Sequence, residues 1–176
     1  GTGQLMQHAL ERGATRFIVG MGGSATVDGG SGCIRALGVQ LQDADGVPIP
    51  YGGGGLIQIN TIDTSNIDPR WGDVEVVIAS DVENPTLGEN GAAAVFGPQK
   101  GASPEQVATL EANLRHFFTL TRDMIGADVL NVHGGGAAGA FSAGLMAFLG
   151  GRIESGIDLI LQYSGFEEQL KDANLV

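Results

Sequence analysis

The sequence predicts an α/β fold: a mixed β-sheet with helices packed on it. Three observations support this. Short β-branched runs, Arg16–Met21 and Val74–Ala79, read as buried strands. Apolar residues elsewhere recur at helical spacing. Polar segments rich in Gly and Asp separate the two kinds of element. At 176 residues, 43% hydrophobic and 16% charged, the chain suits one domain with a real core, spanning 1–176.

The elements follow in order. Thr2 caps a helix that carries Leu5, Met6, Ala9 and Leu10 on one face and closes at Gly13. Arg16–Met21 is the first strand. Cys33, Ile34 and Leu37 suit a short helix stopped by Gly38, and Val39–Leu41 a strand. Asp43-Ala44-Asp45-Gly46 is a turn. Gly52–Gly55 is a loop leading into a partly alternating strand through Leu56, Ile57, Ile59 and Ile62. Val74–Ala79 is the clearest strand and ends at Ser80-Asp81. Ser103-Pro104-Glu105-Gln106 starts a long helix, with Ser at the cap, Pro at the first position and Gln three on. Val107, Leu110, Leu114, Phe117, Phe118, Thr121 and Ile125 carry it to Gly126. Phe141, Leu145, Phe148 and Leu149 form a further helix, and Ser155 with Asp158 caps another. Asp172–Val176 reads as the start of a strand, and both chain ends suggest a piece of a longer polypeptide.

Composition excludes several function classes. The net charge is −11 with only 9 Lys and Arg, so no basic face exists for nucleic acid. Any anionic ligand must be met by backbone N–H groups, a metal ion and very few cations. Glycine supplies 30 of 176 residues, against a usual share of roughly 7%. The excess is clustered without a period, so it marks special backbone geometry. Cys33 is the single cysteine, which excludes an internal disulfide and fits a reducing, cytoplasmic setting. No apolar stretch approaches the roughly 20 residues a membrane span needs.

Four segments are candidates for chemistry. Gly20-Met21-Gly22-Gly23-Ser24-Ala25-Thr26-Val27-Asp28 follows a strand, where amides, hydroxyls and a carboxylate could hold a small anion. The alternative is a tight structural turn. Asp81 and Asn84 follow the clearest strand, which suits Asp81 to accept a hydroxyl proton or face Mg²⁺; the alternative is a cap. Lys100, one of two lysines, sits between glycines and a proline and could meet a phosphate or carboxylate; the alternative is an exposed surface lysine. Gly134, Gly135 and Gly136 precede a helix, where their amides could cradle an anion; the alternative is close packing through small residues. Gly20-x-Gly22-x-x-Ala25 also matches a dinucleotide fingerprint formally, but Asp28-Gly29-Gly30 interrupts the helix that should follow.

Taken together, these motifs resemble the bacterial glycerate kinases that phosphorylate D-glycerate with ATP. Gly1-Thr2-Gly3-Gln4-Leu5, Gly20–Gly30, Asp81–Pro85, Gly91–Gly101, Gly134–Gly139, Ser155-Gly156-Ile157 and Asp172–Val176 agree in order and spacing. The resemblance implies the central, inserted part of a two-domain α/β enzyme, forming one wall of a cleft, with N- and C-terminal segments outside this chain. It implies phosphoryl transfer from ATP to glycerate, giving 2-phosphoglycerate. It casts Asp81 as base and Lys100 as the neutralising cation. Gly22, Gly23, Ser24, Thr26 and Asp28 would hold phosphoryl group or glycerate, and Asn84 would bond substrate. Mg²⁺ would be held through Asp28 or Asp81. Two other functions compete: a non-catalytic module for an anion or nucleotide, and a dinucleotide-binding oxidoreductase domain.

Overall fold

The structure is a computed structural model that describes residues 1–171 and 173. The strand expected at Asp172–Val176 falls, Ala173 apart, outside the described residues.

Helix α1 (Thr2–Glu11) starts one residue earlier than a Thr2 cap implies, with Gly1 as its cap. Strand β1 (Arg16–Gly20) follows, then α2 (Ser31–Ala36). An antiparallel pair, β2 (Gln40–Gln42) and β3 (Thr61–Asp63), stands apart from the main sheet. The main sheet has the order β1-β4-β5, with β4 (Glu75–Ala79) in the centre and β5 (Arg152–Glu154) at one edge. All its pairings are parallel. Parallel and antiparallel pairing thus occur in separate sheets.

One expectation fails locally. Of the strand proposed through Leu56, Ile57, Ile59 and Ile62, only the end is extended, with Ile62 in β3, while Gly53–Gln58 is a 3-10 helix. Leu56 and Ile59 are buried three residues apart, which is helical spacing, while Ile57 is exposed. Asn113 fixes this turn by donating to the carbonyls of Gly53 and Gly54 at 2.9 and 3.3 Å.

Asn113 belongs to α4 (Pro104–Ile125), which begins and ends where the sequence predicts. The Ser103 hydroxyl accepts from Gln106 N–H, the Gln106 side chain accepts from Ser103 N–H, and Gly126 closes the helix in a left-handed conformation. Leu114, Phe117 and Phe118 are fully buried against the β2–β3 pair and the 3-10 turn. Each such side chain contributes about 1.5–3 kcal/mol by leaving water. A second core joins Phe17, Val76 and Ile78 of the sheet to Met6 and Leu10 of α1 and Leu145 and Leu149 of α5 (Ala137–Leu149). Three further α-helices, α3 (Ala92–Phe96), α6 (Gly156–Ser164) and α7 (Phe166–Leu170), and two 3-10 turns, Pro69–Asp73 and Pro98–Lys100, complete the described chain.

Ala138, Gly139 and Ala140 break the regular start of α5. Their φ angles are +53°, +71° and +67°, one left-handed turn. A left-handed alanine costs roughly 1–2 kcal/mol, so packing must hold it. The carbonyl of Gly139 accepts from Gly29 N–H at 3.0 Å. A Cβ on Gly139 would lie 2.1 Å from the Thr26 carbonyl oxygen. Gly139→Ala is therefore expected to destabilise the fold by more than about 2 kcal/mol, because backbone must move. Ala138→Gly, which removes a strained Cβ, is expected to cost nothing or to stabilise slightly. Urea melts of the two variants check the opposite signs.

Candidate active site at the carboxyl ends of the parallel strands

The parallel register gathers the candidate loops. Gly20 of β1 lies beside Ala79 of β4, and Ala79 beside Glu154 of β5. The segments after these residues, Met21–Gly30, Ser80–Pro85 and Ser155-Gly156, leave the sheet at the same end. Ligands of open α/β sheets bind at that end.

The main cavity, about 630 Å³, lies between the loop after β1 and the starts of α1 and α2. Gly22, Gly23, Ser24, Thr26 and Asp28 all line it. Among the described residues, none of the amides of Gly22 through Thr26 donates a hydrogen bond within the protein. Gly22 and Gly23 are exposed, and Gly23 is left-handed with φ of +69°. A run of unengaged amides at a cavity wall is an anion-binding concavity.

Lys100 braces this loop from behind. Its ammonium donates to Ser24 Oγ at 2.8 Å and to the Thr26 carbonyl at 2.7 Å. Ser24 Oγ accepts that bond, so its own hydrogen is left to donate to a ligand. Desolvation pushes the Lys100 pKa below its ordinary value, and the Asp28 charge opposes that shift. Lys100 lines a neighbouring hollow with Gly97, Gly101 and Thr26, so it reaches the main cavity through Ser24.

Asp28 is buried and already engaged. Oδ1 accepts from Gly30 N–H at 3.1 Å, and Oδ2 from the Ser31 hydroxyl and Gly32 N–H at 3.2 and 3.5 Å. These bonds hold the turn into α2, which suits Asp28 to shaping the cavity wall more than to binding a metal.

Asp81 is exposed and lies in the adjoining hollow, which meets the main cavity at Gly20 and Gly22. Its Oδ1 accepts from the Ser155 hydroxyl at 3.1 Å and from Gly156 N–H at 2.9 Å. Ser155 Oγ in turn accepts from Asp158 N–H at the start of α6. Asp81 therefore does act as a cap, through one oxygen. Among the described residues Oδ2 has no partner. Mg²⁺ typically takes one or two carboxylates and completes its shell with water and phosphate oxygens. Asp81 Oδ2 fits that donor set. Among the described residues there is no cluster of three or more His, Cys, Asp or Glu.

Two expectations are corrected. Gly134, Gly135 and Gly136 do not offer amides to a ligand. Their N–H groups donate to the carbonyls of Glu83, Val132 and Asn84. A Cβ on Gly135 or Gly136 would lie 2.2 Å from Thr86 Oγ1 or 2.4 Å from the Pro85 carbonyl. Close packing is what these glycines provide. Asn84 donates to the Asn90 carbonyl at 2.9 Å, holding its own loop, and lines neither hollow. Conversely, Gln4, Tyr51 and Phe141 line the main cavity, and no sequence signal marked them as site residues.

A sequence profile described as the glycerate kinase family matches residues 1–176. The chain belongs to that family. It is 48% identical over 176 residues to a glycerate 2-kinase of Escherichia coli (strain K12), covering all of this chain and 46% of that protein. A glycerate kinase of Halalkalibacterium halodurans is 46% identical, again over all of this chain and 46% of its own length. A crystal structure assigned as glycerate kinase 2 from Salmonella typhimurium LT2 superposes with a TM-score of 0.93 at 45% identity, covering 100% of this chain and 47% of the other. The chain spans about half the length of the relatives it matches. The family match leaves the dinucleotide reading without support. No helix among the described residues is long and apolar enough to cross a membrane.

Cys33 also lines the main cavity, with its thiol held in the neutral form. Burial, and secondarily the Asp28 charge, push its pKa from 9.0 to about 12. The neutral thiol favoured by the fold means stability is lost as pH rises from 9.0 toward about 12. At pH 8, alkylation by iodoacetamide is expected to run at least about 100-fold slower than on free cysteine, because the thiolate is the reacting form. A mass-spectrometric time course measures it.

Proposed function

We propose that this chain carries one wall of the active site of an ATP-dependent kinase that converts D-glycerate to 2-phosphoglycerate. The observation that carries the reading is a run of amides from Gly22 to Thr26 that has no partner among the described residues, braced by Lys100 and beside a carboxylate with one oxygen likewise without a partner there. The family membership and the names of the relatives support the same chemistry.

In this scheme the glycerate hydroxyl attacks the γ-phosphorus of ATP. The new O–P bond forms as the bond to the bridging oxygen of ADP breaks. Asp81 Oδ2 takes the hydroxyl proton, with the carboxylate held in place by Ser155 and Gly156. The amides of Gly22 and Gly23, with the Ser24 hydroxyl, hold an anionic oxygen of glycerate or of the phosphoryl group. Lys100 offsets that negative charge through the loop it braces. An anion in the cavity favours its charged form and so opposes the desolvation that burial imposes. Mg²⁺, when bound, would take its shell mainly from phosphate oxygens and water and would supply neutralisation of phosphate charge, which leaves Asp81 Oδ2 to the hydroxyl proton. Such catalysis is mainly positioning and electrostatics. A cytoplasmic setting fits a chain whose only cysteine is a free thiol.

The test is ADP release with D-glycerate, ATP and Mg²⁺, measured on this chain and on a polypeptide of full family length that contains it. Turnover is expected in the longer form. There, Asp81→Asn should lower kcat by at least about 100-fold without changing the fold, given the usual worth of an acid–base group. Turnover near normal in that variant would remove Asp81 from its role. Lys100→Met is expected to weaken kcat/KM by roughly 10- to 150-fold, the worth of about 1.5–3 kcal/mol for a charged hydrogen bond. Absence of glycerate-dependent ADP release in the longer form, or NAD binding in its place, would overturn the reading.

A further inference from the structure

Tyr51 is an aromatic side chain that the fold holds in place without burying. It lines the main cavity and is 75% exposed. The Arg35 guanidinium lies over its ring, 4.0 Å from the centroid. Arg35 is itself anchored, donating to the Ile49 carbonyl at 3.0 Å. Among the described residues it pairs with no carboxylate, although the chain carries a net charge of −11. The backbone on either side of the ring is tied as well. Ile49 N–H donates to the Leu41 carbonyl, and Asn113 holds the carbonyls of Gly53 and Gly54. A ring fixed in advance loses little freedom when a ligand meets it.

Arg35 is not part of the cavity wall, so its guanidinium backs the ring from outside the cavity. One face of the ring carries a cation, and the other is left for a ligand. A cation on one face draws π density toward itself and leaves the opposite face poorer in electrons. Such a face stacks favourably on another π system. The wall nearby is apolar, with Cys33, Ala36 and Phe141 lining the same cavity. Phe141 lies against Gly30, where a Cβ would be 2.4 Å from its Cδ2. Tyr51 lies beside Gly32, where a Cβ would be 4.0 Å from its Cδ1. Two aromatic rings therefore border the start of α2.

The cavity thus presents two chemistries. Gly22, Gly23 and Ser24 offer amides and a hydroxyl to an anion, while Tyr51 and its neighbours offer a flat, apolar surface. A three-carbon hydroxy acid has no flat or apolar part to place on that surface, and it fills only a fraction of about 630 Å³. A ligand with an anionic end and an uncharged planar end matches both regions. Phosphates joined to a nucleobase have that chemistry.

We propose that Tyr51, backed by Arg35, is the stacking platform for the base of the nucleotide. The inference rests on the kinase reading above and adds to it the side chain that receives the base. Arg35 acts through the ring, as a positioning residue. The phosphates of the same nucleotide then extend toward the amides of Gly22 and Gly23.

Calorimetric titration of the polypeptide of full family length with ADP and Mg²⁺ tests the proposal, alongside the KM values for ATP and D-glycerate. Tyr51→Ala is expected to raise the Kd for ADP by about 5- to 150-fold, the worth of stacking on one base, and to leave the KM for D-glycerate unchanged. Its Tm is expected to stay where it was, because the side chain is mostly exposed. Tyr51→Phe, which keeps the ring, is expected to bind ADP within about threefold of the unaltered protein. Tyr51→Leu, apolar but without a flat face, is expected to lose as much affinity as Tyr51→Ala, and it decides the matter if the alanine variant does not fold. Unchanged ADP affinity in these variants overturns the platform, and glycerate-dependent ADP release that persists in them leaves the kinase reading in place. A raised KM for D-glycerate at unaltered ADP affinity also overturns it, since the ring then faces the acid. An equal loss in Tyr51→Phe does the same, because the hydroxyl and not the ring is then responsible. A full-length polypeptide that neither binds ADP nor releases it overturns the kinase reading, and the platform with it.

Discussion

Everything at the candidate site depends on the parallel register of β1 with β4. Gly20 and Ala79 are partners, so both strands stop at one level. A one-residue slip of β1 would turn Phe17 away from the α1–α5 core in which Val76 and Ile78 of β4 stay buried. The register is therefore enforced by the core and not by the loops. Given the register, the loop after β1 and the Asp81 loop emerge side by side. Pairing of Ala79 with Glu154 then brings Ser155 and Gly156 to the Asp81 carboxylate. Placement of the functional groups follows from apolar packing some residues away.

An acidic chain that binds an anion has an electrostatic problem, and the structure answers it locally. With a net charge of −11, long-range steering would repel the ligand. What favours binding acts at short range: amide dipoles that lack partners among the described residues, one hydroxyl, and one half-buried ammonium. Asp28 places a buried carboxylate at the same wall, and this charge would oppose an anion were its oxygens free. They are turned toward Gly30, Ser31 and Gly32, whose donors dissipate it. Such groups are fixed before ligand arrives, so little reorganisation accompanies binding.

Sequence reading succeeded where a local signal has one physical meaning. The Ser103-Pro104-Glu105-Gln106 start and the Gly126 stop of α4 are of this kind. So are β1 and β4, whose β-branched runs admit few alternatives. It failed where a signal has two. A glycine run means either exposed amides or room for close approach, and only the atoms across from it decide. For Gly22 and Gly23 there is open space around the missing Cβ. For Gly135 and Gly136 there are Thr86 and Pro85. The stretch from Gly52 to Ile62 was similarly double, since its apolar spacing is neither strictly alternate nor clearly helical. The outcome was set by Asn113, sixty residues away from Gly53 in sequence. Tyr51 and Phe141 reach the cavity wall by tertiary placement alone, and no local pattern announces that.

The left-handed turn at Ala138–Ala140 connects these two glycine runs and explains why both are needed. The glycines from 134 to 136 let the start of α5 press against the loop after β4. With α5 so placed, the turn can bring the Gly139 carbonyl to the Gly29 amide and pack its backbone on Thr26. The loop after β1 is thus clamped on one side by Gly139 and on the other by Lys100, through Ser24 and the Thr26 carbonyl. Between the two clamps the amides of Gly22 and Gly23 have no partner among the described residues. A loop left free would fold its amides back onto its own carbonyls or onto water. Strain in two alanines is the cost of preventing that, and it falls where a functional site concentrates it. The tightly packed glycines therefore serve the binding loop indirectly: they build the support that keeps other amides exposed.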